Sequence, residues 1–405
     1  MNVSAMTSAE GRLLLLCSRT RLDASVAEQV RDLVAEGVDW TVVLALASDH
    51  GVLPLLYSSL GTMDSAGIPP TVLAELRERF TANARRGLIL TSRLLSVLAR
   101  FRAANIPVIP FKGPTLARGA YGSTALRQFT DLDLLVRPSD VPAARRLLLE
   151  EGYCPRGFQS EWEWNLENRE GVAIDLHQAI ASPYDPVPDR FDDLWARRSR
   201  LTLGASPVET FSPEDLLLIL SIQLVKDCRE RRQRLVQLCD IAEVIRAWPS
   251  LDYRSVVRRA HASRAERILH LALGLANRVL GAVIPDSLQR SSKADPVAES
   301  LVQYARERLL HRVNLAGPNA EVGLLHEDTR FYLRAREHWA DKAAYLGLLL
   351  RNLFRLAVTP TVKDRTFLPL PAALRFLHYF SRPVRVIVAR RERGRPEDGE
   401  RTPDH

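Results

Sequence analysis

Along the first hundred residues, apolar positions recur every three to four residues among polar ones, which is the spacing of amphipathic helices. The pattern predicts helices over 25–35 and 40–47, and a longer one over 71–105 in which Leu88, Leu90, Leu94, Leu95 and Leu98 form a stripe among arginines. Pro69-Pro70 punctuates this region. At Ile106 the period changes. Ile106-Pro107-Val108-Ile109-Pro110-Phe111 is short and apolar and reads as a strand, broken by Lys112-Gly113-Pro114. A short helix is expected over 115–121, a second strand over 132–136, and a helix over 140–151 with Ser139 as its N-cap and Gly152 as its stop. Residues 162–168 and 171–178 read as a hairpin or as two successive strands. Strand–helix–strand–helix–strand in this order predicts an α+β or α/β core. From Ser212-Pro213-Glu214 the helical period returns, with Ser212 as cap and Pro213 in the first turn. Helices are expected over 215–247, 253–280, 295–315 and 338–356. Residues 360–371 read as irregular, 372–390 as an apolar-basic mixture, and 391–405 as a charged tail of disordered composition.

Composition adds bounds more than direction. A chain of 405 residues can bury more than one core, and two or three domains are expected. The net charge of +8 is the small difference between 56 basic and 48 acidic residues. It suits phosphate-bearing ligands, nucleic acid or an anionic membrane surface, and selects none of them. Cys17, Cys154, Cys228 and Cys239 are scattered without a CxxC pair, so buried reduced thiols are expected. The opening MNVSAMTSAEGR lacks a basic segment ahead of an apolar one, and the most apolar stretch, 216–225, is too short to span a bilayer. A cytoplasmic protein is expected.

The candidate chemistry lies in the middle of the chain. On a strand, alternate side chains share a face. Asp131 and Asp133 then point one way, and Leu132, Leu134 and Val136 point into a core. On the later segment, Asp175 and His177 share a face against Val172, Ile174 and Leu176. If the two strands are neighbours, three carboxylates meet on one open surface. Oxygen ligands of this kind suit Mg²⁺, which keeps some water and takes further ligands from substrate phosphates. Two such ions can stabilise both the entering and the leaving oxygen of an in-line displacement. Lys112 and Gly113 sit at a strand-to-helix turn, where glycine lets backbone approach a phosphate and the helix start supplies free N–H groups. Lys112 adds a point charge and Arg127 a planar fork suited to phosphate. Plainer readings exist for each residue: a solvated Asp-x-Asp, an ordinary glycine turn, a surface lysine, an Arg127–Asp131 ion pair, and a structural His177.

The ordered set Phe111-Lys112-Gly113, Tyr121, Leu126-Arg127, Asp131-Leu132-Asp133-Leu134-Leu135-Val136, Gly152-Tyr153 and Ile174-Asp175-Leu176-His177 resembles the uncharacterised nucleotidyltransferase family of the DNA polymerase β-like superfamily. His50-Gly51-Val52-Leu53-Pro54-Leu55-Leu56-Tyr57 and Asn83 resemble its N-terminal helices, and Cys239-Asp240-Ile241-Ala242 an Asp-Ile-Ala element of its helical region. The resemblance implies an α+β fold: a small mixed-sheet core at 101–205, flanked by an N-terminal helical region at 1–100, a larger C-terminal helical domain at 206–358 and a basic extension at 359–405. It implies a transferase that moves a nucleoside monophosphate from an NTP, with ATP the expected nucleotide, to a hydroxyl-bearing acceptor, releasing pyrophosphate. Asp131 and Asp133 would bind two Mg²⁺ ions. Asp175 would complete the catalytic metal site, and Lys112, Gly113 and Arg127 would handle the triphosphate. The acceptor, in a cleft between the core and the C-terminal helices, is a small molecule, a peptide or a protein side chain.

Three signals lie outside that set. The basic run 226–234 reads as a solvated helix face or as an electropositive wall over the nucleotide, and Asp240 as the partner of one of its arginines. Trp162 and Trp164 read as an alternating strand with one buried face. Residues 376–395 mix aromatics with arginines, as in a docking helix with a loose tail or a membrane-surface contact. No nucleic-acid module is visible, and nucleic acid is not an expected partner. Two rival functions follow: a catalytically degenerate, nucleotide-binding regulator, and a peripheral membrane or scaffold protein.

Overall fold

The computed structural model describes residues 8–63, 67–157, 159–160, 162–181, 185–186, 190–310 and 327–358. The basic extension at 359–405, with its expected aromatic-arginine segment, lies outside them, as does the end of the helix expected over 295–315. Two compact units divide after Glu337. The first opens with α1 (Ala9–Cys17), α2 (Ala24–Glu36), α3 (Trp40–His50), α4 (Leu53–Gly61) and the long α5 (Pro70–Ala103). There follow β1 (Val108–Pro110), α6 (Gly113–Ala120), β2 (Asp131–Val136), α7 (Val141–Glu150), β3 (Cys154–Pro155), β4 (Glu163–Glu167) and β5 (Ala173–His177). Then come α8 (Phe191–Ala196), β6 (Ser199–Leu203), β7 (Ser206–Thr210), α9 (Pro213–Arg229), α10 (Leu235–Ala247), α11 (Tyr253–Ala262), α12 (Glu266–Leu280), α13 (Asp286–Ala294), α14 (Pro296–Leu310) and α15 (Glu327–Ala335). The second unit contains α16 (Trp339–Val358).

The fold is α+β. A five-stranded mixed sheet runs in the order β1-β2-β5-β4-β3, with β2 and β5 parallel and the other pairs antiparallel. Leu132, Leu134, Val136, Ile174 and Leu176 bury themselves on one face, under Leu90, Leu94, Val97 and Phe101 of α5 and Val141, Ala144 and Leu148 of α7. Each fully buried side chain of this size contributes roughly 1.5–3 kcal/mol. The alternation that drives these residues inward sends their odd-numbered neighbours to the opposite face. Among the described residues, no helix is long and apolar enough to cross a membrane.

Several expectations are revised. The helix expected over 215–247 is two helices. α9 closes with Arg231 N–H donating to Cys228 O (3.3 Å) and Arg232 N–H to Asp227 O (2.8 Å), with Arg231 at φ 56°. This is a Schellman stop with arginine in the place glycine usually holds. The helix expected over 253–280 breaks the same way, with Arg264 at φ 56° and Ala265 N–H donating to Ala260 O (2.7 Å). Ser139 is not an N-cap, because a 3-10 turn over Pro138–Asp140 leads into α7 and places Asp140 at the cap position. Cys154 is exposed, whereas Cys17, Cys228 and Cys239 are buried free thiols. Helices α1, α4, α8, α13 and α15, strand β3 and the β6–β7 hairpin are additions.

Candidate active site

β2 and β5 lie side by side, and their register sets Asp133 opposite Asp175 and Leu135 opposite His177. β4 continues both rows, with Asn165 opposite Asp175 and Glu163 opposite His177. The open face of the sheet therefore carries Asp131, Asp133, Asp175, His177, Asn165 and Glu163 together. One ligand atom each from Asp133, Asp175 and His177 lies within 4.8 Å of the other two. Asp131, two residues before Asp133 on the same face, does not belong to that tighter group.

Asn165 Nδ2 donates to Asp175 Oδ1 (3.0 Å) and to Glu163 Oε1 (2.8 Å), so β4 aims the third carboxylate. His177 places Nε2 3.3 Å from Asp133 Oδ1, without the alignment of a hydrogen bond, and Nδ1 3.7 Å from Glu163 Oε2. The Phe111 ring packs against the imidazole at 5.3 Å between centroids.

Lys112 ends the approach from β1, and Gly113 begins α6. Gly113 has φ 46°, and a Cβ there would stand 3.2 Å from Asp131 O, so the turn brings the start of α6 against β2 in a way only glycine permits. Lys112 Nζ lies 3.7 Å from Asp133 Oδ1. Burial works against the ammonium, but the carboxylates of Asp133, Asp131 and Asp227 outweigh it and raise the lysine pKa. Burial alone would push Asp133 up; the Lys112 ammonium, foremost among its neighbours, instead holds it at about 2. Asp131 is raised by burial and by the charge on Asp133. Asp175 is raised to about 7, by burial first and then by the charges on Asp133 and Asp131. Like charges are thus gathered where burial penalises them, a pattern characteristic of functional sites.

Arg127 departs from the plainer of its sequence readings, the ion pair with Asp131. Its Nε and Nη2 donate to the two carboxylate oxygens of Asp240 (2.7 and 2.8 Å), and Tyr121 Oη donates to Asp240 Oδ1 (2.6 Å). The partner is Asp240 rather than Asp131, Asp240 does not pair with the basic run, and Arg127 also lines the cleft. The bidentate pair instead ties the core to α10. Asn83 secures the same loop from α5, donating to Ala125 O (2.8 Å). His50 Nδ1 accepts the Leu235 N–H that begins α10 (3.1 Å), and Gly51 passes so close that a Cβ would lie 3.3 Å from Val236 Cγ1. The N-terminal His-Gly element thus holds the far wall of the site.

Between these walls lies a cleft of about 740 Å³. Lys112, Asp131 and Asp133 line it from the core, Arg86 from α5, and Gln223 and Asp227 from α9. Asp227 accepts from Gln237 Nε2 (2.7 Å), and burial raises its pKa to about 6. Gln223 Oε1 is buried without a hydrogen-bond partner.

A family model described as an uncharacterised nucleotidyltransferase matches residues 36–281, from the end of α2 to the glycine that follows α12. The chain belongs to this family. Every residue of the site and cleft named above falls within the match. The family sets the chain among nucleotidyltransferases. No curated protein sequence matches the chain. Two solved structures are similar to parts of it. One is a lincomycin-bound lincosamide antibiotic adenylyltransferase, at 16% identity over 38% of this chain and 94% of that one, with a TM-score of 0.29. The other is an antigenic nucleotidyltransferase-like protein from Paracoccidioides brasiliensis, at 14% identity over 48% and 93%, with a TM-score of 0.31.

Sequence reading missed Glu163 and Asn165. The signal was present, since both fall on the alternating segment that was read only for its tryptophans.

Proposed function

We propose that this family member transfers a nucleoside monophosphate from an NTP, ATP being the first to test, to a hydroxyl-bearing acceptor with release of pyrophosphate. The register that sets Asp133 opposite Asp175 on adjacent parallel strands carries this reading. The residues fit divalent cations: burial first, and then the neighbouring carboxylate charges, raise Asp131 and Asp175 above the ordinary carboxylate range, and a cation would relieve both. Asp131 and Asp133 would hold two Mg²⁺ ions in common, with Asp175 as the third carboxylate. Bound there, the ions would neutralise charge building on the α-phosphate and on the entering and leaving oxygens.

The protein's own groups do the positioning. Lys112 and the start of α6 at Gly113 face the phosphates, the lysine as a fixed positive charge and the backbone as donors. Arg127, with two of its nitrogens engaged by Asp240, braces the loop that leads into β2. The acceptor oxygen attacks the α-phosphorus, the bond to the β-phosphate bridging oxygen breaks, and the hydroxyl proton is drawn off at Asp175. Gln223 and Asp227 on the α9 wall offer polar contacts to the acceptor, a small molecule, a peptide or a protein side chain.

The test is to mix the full chain with Mg²⁺ and each NTP and to follow nucleotide binding and pyrophosphate release. At least one nucleotide should bind, and Asp131→Ala with Asp133→Ala should abolish that binding. No nucleotide binding, or binding unchanged in the double variant, overturns the proposal.

A further inference from the structure

The tightest set of ligand atoms on the open face is not the three aspartates. It is Asp133, Asp175 and His177. His177 is buried to 7% exposure, and its Nε2 has no hydrogen-bond partner although Asp133 Oδ1 stands 3.3 Å away. A buried ring nitrogen in that condition costs free energy unless something else occupies its lone pair or its proton. The other ring nitrogen explains which. Nδ1 faces the Glu163 carboxylate at 3.7 Å, and Asn165 steadies that carboxylate from its other oxygen. A carboxylate behind one imidazole nitrogen favours the proton there and leaves a lone pair on the other, the arrangement that orients metal-binding histidines. That lone pair lies on the same face as Asp133 and Asp175, and Phe111 packs against the ring.

Building on the metal-dependent transfer above, we infer that His177 Nε2 is a metal ligand, so that the Asp133–Asp175–His177 position takes a first-row transition ion in preference to Mg²⁺. An imidazole nitrogen is a poor ligand for Mg²⁺ and a better one for first-row divalent ions, whose affinity for such sites rises along the series from Mn²⁺. Asp133 is then shared between two unlike positions. Asp131 and Asp133 offer only oxygen, which suits an Mg²⁺ that arrives with the nucleotide. Asp133, Asp175 and His177 offer two oxygens and a nitrogen. Glu163 is a positioning residue, acting through the ring.

The experiment uses the full chain, stripped of metal and loaded with Mn²⁺, and reads the ¹⁴N hyperfine coupling of the bound ion by pulsed electron paramagnetic resonance. Wild type should show imidazole nitrogen coupling. His177→Gln should lose it and bind Mn²⁺ ~10-fold or more weakly, with Mg²⁺ affinity changed far less. Glu163→Gln keeps the ring, so the coupling should persist while Mn²⁺ affinity falls ~10-fold. This second variant keeps the test decisive where His177→Gln fails to fold. Mn²⁺ bound without nitrogen coupling in wild type, coupling that survives His177→Gln, or equal losses of Mn²⁺ and Mg²⁺ affinity in the two variants each overturn the inference while leaving the transferase reading intact. A wild-type chain that binds neither metal nor nucleotide overturns both.

Discussion

Asp240 and Asp133 line the same cleft and are almost equally buried, at 2% and 7% exposure. Asp240 receives two guanidinium N–H groups and a phenol hydroxyl within 2.8 Å. Asp133 has an ammonium at 3.7 Å, an imidazole nitrogen out of line at 3.3 Å, a second aspartate opposite it and a third two residues away. One carboxylate has its charge balanced by a bidentate guanidinium and accepts three hydrogen bonds in all. The other shares its surroundings with Asp131 and Asp175, so the set carries more negative charge than Lys112 balances. Burial alone therefore does not identify a functional aspartate. What distinguishes the two is whether the surrounding charges close or leave a deficit. Asp215 falls on the closed side, held by Arg197, Arg259 and Ser212 at the start of α9.

The widest separation between the two classes should appear when each is neutralised. Asp131→Asn with Asp133→Asn should slow pyrophosphate release by ~10³-fold or more, the loss expected when several kcal/mol of charge stabilisation in the transition state disappears. The folded state should survive with a smaller loss of stability than Asp240→Ala causes, because the repulsion relieved at Asp175 partly offsets the loss of the Asp133 charge that pairs with Lys112. Asp240→Ala should do the reverse. It strands the Arg127 guanidinium in a buried position and should lower unfolding free energy by about 3–5 kcal/mol in a urea titration. Adding Arg127→Met should restore part of that loss, since the second substitution removes the stranded charge. A double Asp variant as unstable as Asp240→Ala would erase the distinction.

A smaller effect tests the geometry that presents the open set. Gly113→Ala places a Cβ 3.2 Å from Asp131 O at a φ of 46°. It should cost about 1–2 kcal/mol in the same titration, and it should weaken nucleotide binding more than it weakens metal binding. Equal losses of the two would mean that the turn shapes the strand rather than the phosphate contact.

The open set was largely legible in the chain and the closed set was not, for a physical reason. Alternation along a strand is a local property. Asp131, Asp133 and Asp175 declared their face through Leu132, Leu134, Val136, Ile174 and Leu176, and only the adjacency of β2 and β5 had to come from the structure. Asp240 and Arg127 are 113 positions apart, and nothing near either of them names the other. The breaks at Arg231 and Arg264 were equally silent, since arginine occupies a left-handed position that sequence reading assigns to glycine or asparagine. The β6–β7 hairpin has a local signature, with Leu201, Leu203 and Val208 alternating around Gly204, but its strands are short and flanked by stronger helical patterns. His177 was read as structural because a lone histidine usually is. Its role depends on Glu163, which lies opposite it on β4.

The gentlest probe acts on the deficit itself. Asp175 rises from an ordinary 3.8 to about 7 on folding, so the folded chain holds its proton more tightly than the unfolded chain does. Ionisation of this group therefore opposes folding, with no opposition below pH ~4 and the full effect above pH ~7. Lowering the pH from 8 to 5 should raise the melting temperature of the metal-free protein, and Asp175→Asn should flatten that rise. At pH 8 the metal-free variant should melt about 2 °C above wild type, which is what ~1 kcal/mol gives in a domain of a few hundred residues. Asparagine keeps an oxygen for the Asn165 donor, so packing changes little. Adding Mn²⁺ should then invert the order, stabilising the wild type and leaving the variant nearly unmoved. A variant that melts below wild type with and without metal would place Asp175 with Asp240, among the carboxylates whose charge the fold requires.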